Sequence, residues 1–246
     1  MLDFFSQIME FIKNLCFPPS CYICNDFTET NGLCSECWKN ITWITEPKCK
    51  ICGVPFAIQL QDFCPNCERK RPKFDMAISI FVYNKYSKKM ILHFKNYDCT
   101  YMANQFAKWL YRIAEKELTN TDIIIPVPIT TLRRITRKYN QSELLAMSIS
   151  ELSHIKYEPR ILIKSKSTKS QEGLTRLSRQ KNLIGSFSVN SKFADLLKDK
   201  NVALVDDVIT TGSTANECAK VLKKYGAKNV IVLTIAHTVL NNVELQ

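Results

Sequence analysis

Eight of the eleven cysteines stand as four Cys-x-x-Cys pairs: Cys21/Cys24, Cys34/Cys37, Cys49/Cys52 and Cys64/Cys67. Two residues between thiolates let one tight turn aim both sulfurs at the same ion. Two such turns complete a tetrahedral set of four thiolates, soft ligands that suit zinc. The two candidate sites read C-x2-C-x9-C-x2-C and C-x2-C-x11-C-x2-C, with Gly32 and Gly53 supplying the tight backbone. Four thiolates leave no open position for water, so the two expected zinc ions are structural. Shorter loop closure favours sequential pairing, and the sequence also allows interleaved pairing. A disulfide scaffold expects a secreted context, and a thioredoxin-like motif needs one pair on a βαβ unit. Neither expectation is met. Cys16, Cys99 and Cys218 stand apart, and Cys218 falls in an amphipathic stretch that predicts packing.

A second chemical feature lies far along the chain, in Val202-Ala-Leu-Val-Asp206-Asp207-Val-Ile-Thr210-Thr211-Gly212-Ser213-Thr214. Two carboxylates end an apolar run, a short loop of hydroxyl residues around one glycine follows, and a helix begins. Successive backbone N–H groups, several hydroxyls and a helix N-terminus make a phosphate cradle. Ionised carboxylates accept hydrogen bonds from hydroxyls, so an adjacent pair suits a ribose diol. The inferred ligand is a ribose 5-phosphate with free 2′ and 3′ hydroxyls. Thr214 and Glu217 have the spacing of a capping box. No lysine follows the glycine and no G-x-G-x-x-G occurs, which argues against P-loop and dinucleotide readings.

These residues need elements to hold them. From Ala77 onward, apolar strands alternate with amphipathic helices. Strands are expected at 78–83, 122–127, 161–163, 201–205 and 230–236, and helices at 101–118, 142–153 and 215–225. Ala103, Phe106, Ala107, Leu110, Ile113 and Ala114 form the expected buried face of the first helix, and Gly226 is the left-handed cap of the last. Strands apolar on both faces and separated by helices imply a parallel sheet covered on both sides. Ligands of such sheets sit beyond the carboxyl ends of the strands. The expected division is an amphipathic helix over 1–17, a cysteine-rich module over 18–70 and the α/β domain over 75–240.

The whole chain has 246 residues and a formal net charge of +11. Its 46% hydrophobic and 23% charged residues exclude wholesale disorder. The positive excess points to an anionic partner. Between Arg133 and Lys181 there are 12 basic and 4 acidic residues, so most of that excess is local. No segment has the apolar length of a membrane span, and Met1 to Phe17 carries Asp3, Glu10 and Lys13 without a basic leader. A cytoplasmic protein is expected. The apolar residues Phe4, Phe5, Ile8, Phe11, Ile12 and Leu15 recur at helical spacing, which predicts packing on the protein itself. His93, His154 and His237 have no motif around them and read as structural.

The stretch from Val202 to Thr214 resembles the phosphoribosyl-diphosphate (PRPP) signature of type I phosphoribosyltransferases. Ile125-Pro-Val-Pro128, Tyr139-Asn140-Gln141-Ser142 and Ser167-Thr-Lys-Ser-Gln171, together with the four cysteine pairs, resemble the ComF family in order along nearly the whole chain. The resemblance implies an α/β fold with a type I phosphoribosyltransferase-like parallel sheet, preceded by a small double zinc ribbon. It implies that Asp206 and Asp207 hold the ribose hydroxyls and that Thr210, Thr211, Gly212, Ser213 and Thr214 cradle the 5-phosphate. It further implies that magnesium accompanies PRPP, and that a loop over 164–181 closes on it. Arg133, Arg134 and Arg137 follow a strand end and are expected to hold the pyrophosphate, since guanidinium groups clamp its oxygens.

No catalytic base is identified. Thr210 stands where purine-salvage relatives carry an acidic residue, which argues against 6-oxopurine salvage. Three functions follow. One is a competence protein that binds PRPP and supports single-stranded DNA uptake, with DNA or competence proteins as partners. Another is an active phosphoribosyltransferase with an unknown acceptor. The third is a zinc-ribbon interaction scaffold with a vestigial PRPP site. In the DNA reading Trp38 and Trp43 could stack on bases, although packing within the metal module is their simpler role.

Overall fold

A computed structural model describes residues 18–58, 61–96, 100–129, 139–164, 183 and 185–239. The helix expected over 1–17, Cys16, Cys99, the three arginines at 133, 134 and 137, and most of the 164–181 loop lie outside the described residues. The cysteine-rich region contributes two short helices, α1 (Ser35–Lys39) and α2 (Pro65–Arg69), each starting at a cysteine N-cap. Then follow β1 (Met76–Val82), α3 (Lys85–Asn96), α4 (Met102–Leu118), β2 (Ile123–Pro126), α5 (Gln141–Ser153) and β3 (Lys156–Tyr157). The chain continues through β4 (Leu162–Lys164), β5 (Phe187–Val189), a 3₁₀ segment (Ser191–Leu197), β6 (Asn201–Ile209), α6 (Ser213–Lys224) and β7 (Asn229–His237).

Five strands make one parallel sheet in the order β1-β7-β6-β2-β3. In the central pair, β6 is apolar and buried from Val202 to Val205 and β7 is buried from Val232 to His237, as a sheet with two covered faces requires. The hydroxyls of Ser79 and Thr234, register partners on β1 and β7, hydrogen-bond each other at 2.6 Å, so neither is left unsatisfied inside. Helices α4 and α5 cover one face of the sheet, and α6 with the β4–β5 antiparallel hairpin covers the other. In α4 the buried side chains are Met102, Ala103, Phe106, Ala107, Leu110, Ala114 and Leu118. Ile113, expected on that face, is 41% exposed, because the stripe advances from Leu110 to Ala114 and leaves it at the margin.

The cysteine-rich region is built into both cores. Cys21, Tyr22, Ile23, Cys37 and Ile41 pack with α3 and α4, whereas Cys49, Ile51, Cys64, Cys67 and Phe74 pack with α6 and the hairpin. It also covers the free edge of β1: Ile44 N–H donates to Ile80 C=O at 2.9 Å, and Val82 N–H to Thr42 C=O at 2.8 Å. Trp43 meets Phe81 and Trp109 edge-on and stacks obliquely on Trp38 with ring centroids 4.4 Å apart. The tryptophans therefore form an aromatic seam between this region and α4. No helix among the described residues is long and apolar enough to cross a membrane.

Gly53 is where the cysteine-rich region comes close to the backbone of β1. Its φ is +72°, and a Cβ there would stand 2.5 Å from the carbonyl oxygen of Ala77. Gly53→Ala is predicted to lower stability by about 2 kcal/mol or more, read from the denaturation midpoint, since left-handed strain and a backbone clash act together. An unchanged midpoint would show that the edge contact contributes little.

Candidate functional site

Asp206 and Asp207 do not end β6. The strand runs on to Ile209, because Val208 and Ile209 keep their pairing with Ala236 and His237 of β7. The two carboxylates thus lie within its last turns of register rather than at its end. Asp206 Oδ1 accepts from Ser142 Oγ at 3.1 Å and from the Asp207 backbone N–H at 2.9 Å. Burial first, and then the neighbouring Asp207 charge, push the Asp206 carboxyl up to about 7. Asp207 is less enclosed and pairs through Oδ2 with Lys95 Nζ at 2.6 Å.

Thr210, Thr211 and Gly212 form the turn that follows, and Ser213 and Thr214 open α6. The expected capping box is absent. Gly212, with φ +72°, is the N-cap and has no side chain to cap with; the helix begins one residue before Thr214, and its first N–H, on Ser213, donates to Thr211 Oγ1 at 3.4 Å. Thr211 Oγ1 instead lies 2.8 Å from Ser213 Oγ, holding two hydroxyls side by side at the helix mouth. The first N–H groups of a helix lack intrahelical partners and carry its positive dipole end, a setting for an anion. Asp206, Asp207 and the residues 210–214 are thereby gathered at one carboxyl end of the sheet. At the far end of α6, Gly226 has φ +95° and Ala227 N–H reaches back to Leu222 C=O at 3.2 Å, as the glycine cap predicts. Cys218 is fully buried within α6.

The Tyr139-Asn140-Gln141-Ser142 stretch has a specific task here. Asn140 caps α5 by accepting from Ser142 N–H at 3.2 Å, and its amide donates to Val127 C=O at 3.1 Å. Tyr139 OH donates to Phe94 C=O and Gln141 Nε2 to Lys95 C=O, at 3.1 and 3.2 Å. Four consecutive side chains thus tie the end of β2, the last turn of α3 and Asp206 together. Lys95 is the site neighbour that sequence reasoning missed. It meets Asp207 from an element distant in the chain, and no local spacing announces that meeting.

The histidines are in structural settings. His93 Nδ1 lies 3.1 Å from Tyr22 C=O, His154 takes the left-handed C-cap of α5, and His237 lies buried with Nδ1 3.0 Å from Thr238 C=O.

The cysteines gather as two tetrads, Cys21/Cys24/Cys34/Cys37 and Cys49/Cys52/Cys64/Cys67, with all ligand atoms of each tetrad within 4.8 Å of one another. Pairing is therefore sequential. Cys24 and Cys34 sulfurs are 3.7 Å apart and Cys52 and Cys64 sulfurs 3.6 Å. Those separations are far beyond a disulfide bond and close to the ~3.8 Å edge of a zinc–thiolate tetrahedron. Backbone N–H groups of Cys37 and Cys64 point at the sulfurs of Cys34 and Cys49, at 3.4 and 3.3 Å. Burial raises the Cys21 thiol, but backbone hydrogen bonds from Cys24, Cys34 and Ile23 outweigh it and bring it down to about 7. Hydrogen bonds from the Cys52, Cys64 and Cys67 thiols hold Cys49 well below the usual thiol range. Both tetrads fit zinc ribbons.

Comparison with known proteins agrees with this arrangement. The double zinc ribbon domain family matches residues 12–68, and the phosphoribosyl transferase domain family matches residues 106–242. Competence protein F of Haemophilus influenzae is 36% identical over 211 residues, covering 84% of this chain and 90% of that protein. The chain belongs to the ComF family. Other relatives are the DNA utilization protein YhgH of Shigella flexneri, 27% identical over 91% of this chain and 99% of its own length, and Competence protein ComFC of Bacillus subtilis, 24% identical over 79% of each.

In this ComF chain the ribbons share their apolar residues with the main cores, so metal loss should reach the sheet. Replacing Cys64 and Cys67 together by serine is expected to remove one of two zinc ions by metal analysis. It should also lower the melting temperature by roughly 5 °C or more. Full zinc content in that variant would refute the tetrad.

Asp206 supplies a pH test. Its carboxyl moves from the ordinary 3.8 to about 7 on folding, so between those values the folded chain keeps a proton that the unfolded chain has lost. Stability from that proton is present at low pH and fades as pH rises through the window. Without ligand, Asp206→Asn should raise the melting temperature at pH 8 by about 3 °C or more, with the gain vanishing toward pH 4. An equal effect at both pH values would contradict the burial.

Proposed function

We propose that this ComF-family chain binds PRPP with magnesium and acts in the cytoplasm in the handling of single-stranded DNA during transformation. The observation that carries the reading is the pair of adjacent carboxylates, Asp206 and Asp207, standing beside the open N-terminus of α6. The carboxylates would accept the ribose 2′ and 3′ hydroxyls, and the backbone and hydroxyls of residues 210–214 the 5-phosphate. Arg133, Arg134 and Arg137 are assigned to the pyrophosphate. Magnesium, a hard cation, would bridge diphosphate oxygens and neutralise them with few protein ligands. The units proposed for these tasks are the zinc ribbons over 18–70 and the transferase-like domain over 75–240.

The DNA part of the reading draws on the names of the relatives, competence and DNA utilization proteins, and on the net charge of +11. Electrostatic binding of a polyanion falls steeply with salt.

A second reading, phosphoribosyl transfer to an acceptor, is favoured by a hollow of about 320 Å³ between the β4–β5 hairpin and the chain after β2. It is lined by Pro128, Ile129, Glu143, Leu162, Ile163 and Asn190 among others, a mixture of apolar walls and polar groups suited to a small ring. Pyrophosphate release across a nucleobase panel would separate transfer from binding alone.

Calorimetry with PRPP and magnesium tests the shared core. The wild type is expected to bind, and replacing Asp206 and Asp207 by alanine should weaken binding by about a hundredfold, as loss of two charge-assisted acceptors implies. No binding by the wild type, or unchanged binding by the variant, would overturn the reading.

A further inference from the structure

We infer that Lys95 is a ligand-contacting residue of this site, a cation that holds Asp207 and a diphosphate oxygen of the bound ligand at the same time. The inference rests on the PRPP reading above and adds a residue to it. Lys95 Nζ lies 2.6 Å from Asp207 Oδ2, and the two side chains are 23% and 20% exposed, so the pair is not sealed from solvent.

Its position is built rather than incidental. A helix end leaves its last carbonyls without intrahelical partners. In α3 two of these, on Phe94 and Lys95 itself, are taken by the side chains of Tyr139 and Gln141. Both donors flank Asn140, which caps α5, the helix whose Ser142 also donates to Asp206. The strap that orients one carboxylate of the pair therefore also fixes the backbone that presents a cation to the other.

Stoichiometry permits a bridge. A carboxylate offers about four lone-pair sites and an ammonium three donors, so Asp207 can keep Lys95 while accepting a ribose hydroxyl. In PRPP the 2′-hydroxyl and the diphosphate sit on neighbouring ring carbons. A cation beside the carboxylate that holds the diol is then within reach of diphosphate oxygens, where a charge-assisted hydrogen bond is strong. Lys95 would thus favour the diphosphate-bearing sugar over the same sugar without it. Ribose 5-phosphate supplies that comparison, because it keeps the diol and the 5-phosphate and lacks the diphosphate.

The experiment is calorimetry of wild type, Lys95→Gln and Lys95→Met with PRPP and with ribose 5-phosphate, each with magnesium. Loss of one charge-assisted bond predicts a PRPP affinity lower by about tenfold or more, and ribose 5-phosphate affinity changed by less than about threefold. An equal loss for both ligands would show that Lys95 only orients Asp207 or supports the fold, and would overturn the inference. Unchanged PRPP affinity would overturn it as well. Failure of the wild type to bind PRPP would instead strike the underlying reading, so the two failures are distinguishable.

Discussion

Two adjacent half-buried carboxylates held among groups from three elements are the constraint around which this structure is arranged. Desolvation and like charge both oppose ionisation, and together they raise Asp206 to about 7. Its partners come from separate elements: Ser142 from the first turn of α5, the Asp207 N–H from β6 itself, and Lys95, through Asp207, from the end of α3. Each element must then be held in place. The four side chains from Tyr139 to Ser142 do this by binding α3, β2 and β6 to one helix start. Such an arrangement is costly for a fold alone and has a use where a polyhydroxyl ligand must be received.

The zinc ribbons answer a different need. A five-stranded parallel sheet leaves β1 as an edge with unpaired backbone groups, and the residues between the two tetrads cover that edge. The first tetrad packs on the α3–α4 side and the second on the α6 side, so each sheet face has a metal-binding turn at its margin. The chain just after the second ribbon reaches the start of α6: the ring of Phe74 lies beside Gly212, and Lys73 N–H donates to Asn216 Oδ1 at 2.8 Å. The region that orders around metal is continuous with the region that would hold phosphate.

Much of this was legible in local spacing. Four Cys-x-x-Cys pairs announced two tetrads because thiolate geometry leaves little choice, and structure resolved the pairing as sequential. The strand–turn–helix from Asn201 to Lys224 was legible because apolar run, acidic pair, glycine turn and amphipathic helix follow in order. Its details were not: pairing with β7 carried β6 past the aspartates to Ile209, and a glycine rather than Thr214 capped α6. Helix α3 was legible in pattern, since its buried Ser87, Met90, Ile91 and Phe94 recur at helical spacing with Lys88 and Lys89 exposed, whereas the short strands β3 and β5 carry only two or three residues of pattern. The Lys95–Asp207 pair was illegible in principle, since it depends on how α3 packs against the sheet. Ile113 marked the limit of periodicity, which locates a face but not its margin.

The central claim is that the sheet's carboxyl end receives a ribose 5-phosphate in one orientation. A crystal structure with PRPP and magnesium bound tests it most directly. The expected result has the 2′ and 3′ hydroxyls on Asp206 and Asp207, with the 5-phosphate on the N–H and hydroxyl groups of residues 210–214. A sugar bound elsewhere, or one reversed so that its diphosphate occupies the mouth of α6, would contradict it.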